Sequence, residues 1–522
     1  MSCSKIFSGD LPELTYEIIK NFQNDYSTLH SCILVNRLWC RLAIPLLWEN
    51  PFSILTGNYN FIEVYLYNLN DLKTQLNKYI FIDYLLLSNT LFDYPSFIRY
   101  LSMYKISFSI VRWLKANDKT SKYNNRNNSE SVFEIKEFKV LIEMSLIKLF
   151  IENEANLHTF EIKIDTSYYN KYCNNILESI LQNPNFINKI GNLKISILRS
   201  TTLTNDTNDH ILKIINPHQN LKRILLGYID SSLYQSLLLS NESNFLNTLN
   251  TIIFYCFNFN GITNLAKVFE KLNVLESVHI IYCFSLSSFI QQIINLTKPF
   301  KLKSLFINRE NLHDGLLQSL LQKSGNYLEN LACGNKQQLL ELIIKYCKNI
   351  KFLDLYNNET HITSLTFDLI ENIKQNLNYL SIRVGINQDS NNIELILQKL
   401  GQTLPSKLEY LSLLLYYIKA DDFEVFLKNS QDTFFKKLLI SNMMREFSNN
   451  IDILPYIKEY IMMNKRVKYL AIKNTYSYVN SRKRVDLSNL KDEVKEFKLH
   501  NIKVLSYVDL STDIYEFLDE NY

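Results

Sequence analysis

The chain has 522 residues and a formal net charge of +4 at pH 7, and 47% of its residues are hydrophobic. This hydrophobic fraction excludes a disordered chain, and the small charge excess argues against proteins that coat nucleic acids or membrane surfaces through a dense basic face. Glycine and proline, with 10 and 9 residues, occur at roughly a third of average usage. No glycines have the spacing of a GxGxxG or GxxxxGK phosphate loop, so such nucleotide sites are excluded.

The eight cysteines lie far apart, mostly inside apolar runs such as residues 253–257, and no CxxC spacing occurs. This pattern is typical of buried thiols in a reducing compartment. The N-terminal residues lack the apolar core of a signal peptide, and no uncharged apolar run reaches the length of about 18 residues that a membrane span needs. We therefore expect an intracellular protein, cytoplasmic or nuclear, without a membrane span.

Three short helical patterns occupy residues 10–52. Pro12 or Thr15 marks the start of the first, and Asp25 or Ser27 is a suitable N-cap for the second. The apolar positions are Leu14, Ile18, Ile19 and Phe22 in the first pattern, Leu29, Ile33, Leu34 and Val35 in the second, and Leu38, Trp39, Leu42, Ile44, Leu46, Leu47 and Trp48 in the third, which Pro45 interrupts. The spacing predicts a compact module of three amphipathic helices.

This segment resembles the F-box, whose pattern is roughly Leu-Pro-x-Glu-Ile-Leu, a gap, then Leu and Val-x-Arg-x-Trp. The matching residues are LTYEII at 14–19, Leu29, and VNRLW at 35–39, and the closest resemblance is to fungal F-box-like proteins. One departure is Thr15, where the family usually has Pro. The resemblance implies an F-box over residues 8–52 that binds the Skp adaptor of a cullin-based ubiquitin ligase. The residues implied to dock the adaptor are Leu14, Ile18, Ile19, Leu29, Val35 and Trp39.

The alternative is that these residues are only the helical cap of a larger domain. A unit of about forty residues buries too little surface to stand alone, so an apolar face should remain for something else to cover. Residues 53–150 are predicted to form a helical connector that includes the first atypical repeats. Within them, the polar stretch at 116–131 is predicted to be an exposed loop.

A repeat follows in residues 151–522. The template apolar-x-x-apolar-x-apolar recurs with a mean interval of about 28 residues, and polar residues and a helical pattern follow it, as at 393–400. It begins at Leu157, Ile190, Leu221, Leu249, Leu275, Leu302, Leu328, Ile350, Leu377, Leu408, Phe435, Val467 and Val494. Pro217, Pro299 and Pro405 precede three of these starts, where a helix must end. Each unit is therefore predicted to be a short strand followed by a helix.

This unit resembles the leucine-rich repeat, and we expect an α/β fold in which a three-helix F-box precedes a solenoid of alternating short parallel strands and helices. Where the family usually has a buried Asn or Cys, this chain has Cys283 and Asn358, but Ile229, Phe257 and Tyr416 elsewhere. A solenoid of helix pairs of the HEAT class is the rival fold. Against it stand β-rich segments such as residues 252–257, which a helical period does not explain.

No enzyme chemistry is indicated. The eight histidines form no HExxH motif, no His/Cys spacing fits a metal site, and no GxSxG elbow occurs. We predict a non-enzyme without metal or cofactor and without a nucleic-acid partner. Basic clusters at 465–468 and 482–484 could serve as a nuclear address or contact an acidic partner, although such runs are more often solvated.

The resemblances together imply a substrate-recognition subunit of an SCF-type ubiquitin ligase, which would bind the Skp adaptor, and through it a cullin, and an unidentified target protein. A scaffold that uses the same two surfaces without ubiquitin transfer is the alternative. The concave face of the repeats would select the target through side chains at positions between the repeat apolars. Examples are Lys303, Ser304, Asn378, Tyr379, Glu409 and Tyr410.

Overall fold

The chain divides into two compact units, residues 1–250 with 271–274, and residues 251–270 with 275–522. The computed structural model describes residues 11–23, 25–54, 59–67, 90–116, 129–164, 167–197, 205–216, 218–228, 233–234, 236–237, 244–307, 314–334, 336–357, 364–384, 390–444, 452–477, 482–512, 514 and 517–518. The division near residue 250 lies inside the predicted repeat region.

The first unit begins with three helices, α1 (Pro12–Lys20), α2 (Tyr26–Ile33) and α3 (Arg37–Leu47). Pro12 occupies the first turn of α1, where its missing N–H costs nothing. Pro45 was predicted to interrupt the third helix, and this was wrong, because α3 continues through it to Leu47. Ile44 and Leu46 on either side of the proline are buried, and their packing outweighs one lost backbone hydrogen bond.

Parallel strands and helices make up the remainder of the first unit. Its further elements are α4 (Phe61–Leu66), β1 (Tyr100–Ser102), α5 (Met103–Ala116), α6 (Ser129–Glu152), β2 (Thr159–Ile164), α7 (Ser167–Leu181), β3 (Asn192–Ile197), α8 (Asn205–Ile215) and β4 (Arg223–Gly227). Strands β1 to β4 pair in parallel in chain order. Of the predicted loop at 116–131, residues 117–128 lie outside the described part of the chain, and α6 already begins at Ser129.

The second unit continues the alternation. From residue 251 the elements are β5 (Thr251–Tyr255), α9 (Leu265–Lys271), β6 (Ser277–Ile281), α10 (Leu286–Ile293), β7 (Leu302–Phe306), α11 (Asp314–Ser324), β8 (Asn330–Gly334), α12 (Gln337–Tyr346), β9 (Phe352–Asn357), α13 (Ser364–Ile373), β10 (Tyr379–Val384), α14 (Ser390–Thr403), β11 (Lys407–Tyr416), α15 (Ala420–Asn429), β12 (Phe434–Met444), α16 (Leu454–Tyr456, continued by a π-helical turn Ile457–Met462), β13 (Val467–Ser477), β14 (Arg482–Asp486), α17 (Lys491–Leu499), β15 (Lys503–Val504) and α18 (Tyr507–Leu510).

Strands β5 to β13 also pair in parallel in chain order. The fold is therefore a mixed α/β fold with parallel strands alternating with helices, consistent with the expected solenoid-like class. Crossovers between parallel strands are right-handed as a rule, so a series that always moves to the next strand places its helices on one side of the sheet. The opposite side, which we call the strand face, carries the alternate residues of each strand.

The repeat template located the strands correctly from Leu157 to Val467, since each of these starts lies within two residues of the first residue of a strand. Its fourth positions lie side by side in the sheet, as Leu353, Leu380, Leu411 and Leu438 do. They are buried because they form the inner layer between strands and helices. The predicted helix at 393–400 lies within α14.

The last template start, Val494, was a wrong prediction. It lies in helix α17, and the strand that closes this part of the chain is β15, beginning at Lys503. In α17 the buried Phe497 is three residues from Val494, a spacing that also fits one helix face, whereas Leu499 is 83% exposed. The template missed β1 and β14, and β14 pairs antiparallel with β13.

Helix α14 packs closely against α15 at Gly401. A Cβ atom at this position would lie 2.7 Å from the Cβ of Asn429 and 2.9 Å from the carbonyl oxygen of Phe426. We expect Gly401→Ala to lower stability by about 2 kcal/mol, because the overpacking outweighs the better helix propensity of alanine. The matched control is Gly334→Ala, where the nearest heavy atom would be at 3.5 Å. Urea unfolding followed by circular dichroism measures both, and equal midpoints would contradict the expectation.

Candidate protein-binding surfaces

The three N-terminal helices enclose a small core of their own. Ile19, Leu29, Cys32, Ala43 and Leu46 form its buried centre. Partly buried side chains surround them, namely Tyr16, Phe22, Ile33, Trp39, Leu42 and Leu47. The core requires α1, α2 and α3 together, since each helix contributes at least one of its buried side chains.

Side-chain caps fix the starts of two of these helices. The Thr28 N–H donates to Oδ1 of Asp25 over 3.1 Å at the start of α2, as predicted, and the Trp39 N–H donates to Oδ1 of Asn36 over 2.9 Å at the start of α3. The same Asp25 carboxylate accepts from the Thr28 hydroxyl, and these hydrogen bonds lower the pKa of Asp25. The Asp25 cap thus fixes the start of α2, and the Asn36 cap fixes the end of the turn between α2 and α3.

That turn presents two adjacent apolar side chains to solvent. Leu34 is 75% exposed and Val35 is 49% exposed, although large aliphatic side chains are usually withdrawn from water. Leu14 on α1 is 42% exposed. We call Leu34 and Val35 the turn surface. The predicted docking set included Val35 but not Leu34, although the second apolar pattern of the sequence contains both.

The six residues predicted to dock an adaptor do not all lie on one surface. Leu14 and Val35 are exposed and Ile18 is partly buried. Ile19 and Leu29 are completely buried and hold the module together, and Trp39 packs against the same core. Of the set, Leu14 and Val35 are therefore the most accessible to a partner, and Ile19 and Leu29 can only support it from within.

A buried polar network lies on the strand face of β5 to β8. The hydroxyls of Thr251 and Ser277 are 2.8 Å apart. Nδ1 of His279 lies 2.7 Å from Oγ of Ser304, and Nδ2 of Asn330 donates to the same oxygen over 2.8 Å. Ser304 was predicted to be exposed for target selection, but it is completely buried. Hydrogen bonding to its neighbours satisfies its hydroxyl, which makes this burial possible.

Charged side chains lie at or just before the starts of neighbouring strands. Nζ of Lys303 contacts the carboxylate of Glu329, and Lys351 lies 3.0 Å from the same carboxylate. Nζ of Lys436 lies 2.7 Å from Oε2 of Glu409. The Lys436–Glu409 pair is about half exposed and adds little stability, whereas the Glu329 side chain is only 15% exposed. This edge of the sheet is therefore a charged margin.

Further along the strand face the surface is covered by the C-terminal part of the chain. Asn378 and Glu409 are exposed, as predicted, but Tyr379 is partly buried and Tyr410 is only 5% exposed. The Thr512 N–H points to the Tyr410 hydroxyl over 3.4 Å. The prediction that Tyr410 would be available to a target was therefore wrong for the structure as it stands.

The cysteines have the properties of structural thiols. Of those described, Cys32, Cys173, Cys283, Cys333 and Cys347 are buried, and none is in a disulfide. Burial raises the pKa of both Cys173 and Cys347 to about 12. Cys283 occupies the repeat position of the family's Asn or Cys, and its thiol lies 3.3 Å from the Phe254 carbonyl oxygen. The equivalent Asn358 and Ile229, like Pro217, fall outside the described residues.

Within the described ranges, no three His, Cys, Asp or Glu side chains come together as a metal site. No helix in the same part of the chain is both long enough and apolar enough to cross a bilayer. No protein-family model matches the sequence, and no curated protein matches it either. The geometry of the turn surface and of the strand face therefore carries the functional argument.

Proposed function

We propose that this chain is the substrate-recognition subunit of an SCF-type cullin-RING ubiquitin ligase. An N-terminal F-box would bind the Skp adaptor, and a degenerate leucine-rich-repeat array would bind the target protein. The chain would supply no reactive group, because holding the target near the ubiquitin-conjugating enzyme accelerates transfer by proximity.

The observation that carries this proposal is the turn surface. Leu34 and Val35 are exposed in a turn whose end is fixed by Asn36, whereas Leu29 and Ile33 of the preceding helix pack inside the module. Burying an aliphatic side chain of this size against a partner contributes about 1.5–3 kcal/mol. A small apolar patch on a rigid three-helix module is the kind of surface that a protein adaptor covers.

The strand face supports the second half of the proposal. Successive parallel strands present their alternate residues on one broad surface, with charged pairs at one margin and aromatic residues further in. A surface of this composition suits a protein or peptide, since aromatic side chains dominate the energetic centre of protein interfaces.

Co-elution with a purified Skp adaptor tests the proposal. We expect the full chain and the adaptor to elute together from a sizing column, whereas a chain lacking residues 1–50 should elute alone. Turnover of the captured target in cells then separates a ligase subunit from a scaffold, since only the ligase subunit shortens the target's lifetime. Failure of the full chain to bind the adaptor from its own organism would overturn the proposal.

A further inference from the structure

The strand face of β9 to β13 carries an apolar, aromatic centre. Tyr379 lies in register with Phe352 on one side and Tyr410 on the other, with ring centroids 5.8 Å and 5.9 Å apart. Leu439 and Ala471 lie in register with each other on the next two strands. We call these five residues the aromatic face. Residues directly opposite in neighbouring parallel strands point to the same side, so the five form one surface.

The C-terminal segment, described at residues 503–512, 514 and 517–518, covers this surface. The Phe517 ring lies 4.9 Å from both Phe352 and Tyr379. Leu510, 3% exposed, completes a cluster with Tyr410, Leu439 and Ala471. The segment thus places an aliphatic side chain at one end of the aromatic face and an aromatic side chain at the other.

A third side chain of the segment, Tyr507, adds polar contacts. Its hydroxyl lies 3.3 Å from Oγ of Ser412, and Nζ of Lys473 lies 5.5 Å from its ring centroid. Burial raises the pKa of Tyr507. The segment therefore occupies the face in the manner of a bound peptide, with apolar anchors and a polar contact that fixes orientation.

The attachment differs from that of a strand. Lys503–Val504 pair with β13, and the Leu505 N–H donates to the Leu470 carbonyl over 3.0 Å. From residue 506 to residue 512 no backbone N–H donates to the backbone of a strand. The Tyr507 N–H donates instead to the Asp486 carboxylate over 2.9 Å. Side-chain contacts hold this stretch, so it can leave without breaking the ladder of the sheet.

From these contacts we infer that the aromatic face is a peptide-binding groove, and that the C-terminal segment is its intramolecular competitor. The external ligand would be a protein segment with an aliphatic and an aromatic side chain spaced as Leu510 and Phe517 are. The inference deepens the proposed function, because it assigns the target surface and a condition for its use. Tethering places the competitor at millimolar effective concentration, so only a target that binds better than the segment displaces it.

The test uses the segment itself as the probe. A fluorescent synthetic peptide of residues 506–518 is titrated, with anisotropy as the readout, into the full chain and into a chain that ends at Leu505. We expect the shortened chain to bind the peptide at least about 10-fold more tightly than the full chain, because its groove is empty. Phe517→Ser in the peptide should weaken binding about 10-fold through the lost aromatic anchor. Equal binding by both chains, or by both peptides, would overturn the inference.

Two controls keep the result interpretable. The first is Leu395→Asp in the shortened chain, which alters an exposed side chain on α14 and should leave peptide binding unchanged. The second control is amide hydrogen exchange of the full chain, which tests the inference even if the shortened chain aggregates. Amides at 506–512 should exchange at least about 100-fold faster than those of β12, and equal protection would overturn the inference.

Adaptor binding by the same shortened chain separates the two proposals. If the shortened chain binds the adaptor but not the peptide, the peptide-binding inference alone is overturned. Peptide binding without adaptor binding would overturn the ligase proposal alone, because the turn surface and the aromatic face lie in different parts of the chain.

Discussion

Val35→Asp is expected to abolish adaptor binding while leaving the fold intact. Val35 is half exposed in the turn between α2 and α3, so a carboxylate there stays solvated in the free chain. In a complex the same carboxylate would have to be buried without a partner, which is far more costly. We expect affinity for the adaptor to fall at least about 100-fold, measured by titration calorimetry.

Two comparison variants control for the added charge and for loss of the fold. Leu395→Asp introduces the same charge at an equally exposed aliphatic residue on α14, and it should leave adaptor affinity unchanged. Leu29→Ala truncates a completely buried side chain in the module core and should lower the free energy of unfolding by about 3 kcal/mol. Circular dichroism should therefore show lost helix for Leu29→Ala and none for Val35→Asp. Undiminished binding by Val35→Asp would exclude the turn surface as the docking site.

Arg466→Met is expected to destabilise the second unit strongly. Arg466 is only 6% exposed, and its guanidinium donates to three backbone carbonyls between the last turn of α15 and the start of β12. Nε donates to Thr433 over 3.1 Å, one terminal nitrogen donates to Leu427 over 3.3 Å, and the other donates to Ser430. Burial lowers the pKa of this guanidinium to about 10, although Asp432 acts in the opposite direction. The side chain therefore stays charged at neutral pH.

These carbonyls lie at the end of helix α15 and before strand β12, where no intrahelical donor is available. Methionine keeps the aliphatic stem but supplies no donor, so the carbonyl oxygens of Leu427 and Thr433 lose the guanidinium, whereas that of Ser430 keeps the Thr433 N–H at 2.9 Å. We expect the free energy of unfolding to fall by about 3 kcal/mol. Amide exchange in α15 and β12 should then be roughly 100-fold faster. Arg466→Lys should lose less stability, because the lysine ammonium can replace some of the hydrogen bonds to these carbonyls.

The matched control for Arg466 is Lys468→Met, two residues further along the same basic cluster and exposed. It should leave amide exchange within the error of the wild-type chain. If Arg466→Met behaves like this control, the guanidinium does not hold the end of α15. The burial of Arg466 also means that the cluster at 465–468 is not the uniformly solvated run that its sequence indicated.

The strand positions were readable from the sequence because their cause is local. Residues such as Leu411 and Leu413 alternate within a strand and recur at each repeat, so apolar spacing alone reveals them. The caps at Asp25 and Asn36 are equally local, since each hydrogen bond spans three residues. The prediction of a strand at Val494 was wrong because the apolar spacing there also fits a helix, and local spacing alone does not distinguish a strand from a helix.

The availability of each surface was decided by tertiary structure. Tyr410 looked exposed from its position between repeat apolars, but Thr512, about a hundred residues away, covers it. Ile19 and Val35 are both apolar residues of the predicted docking set, yet one lies in the core and the other faces solvent. The sequence by itself determined which residues alternate between the two sides of each strand or helix. What lies against each side depends on contacts between distant segments, which only the folded chain brings together.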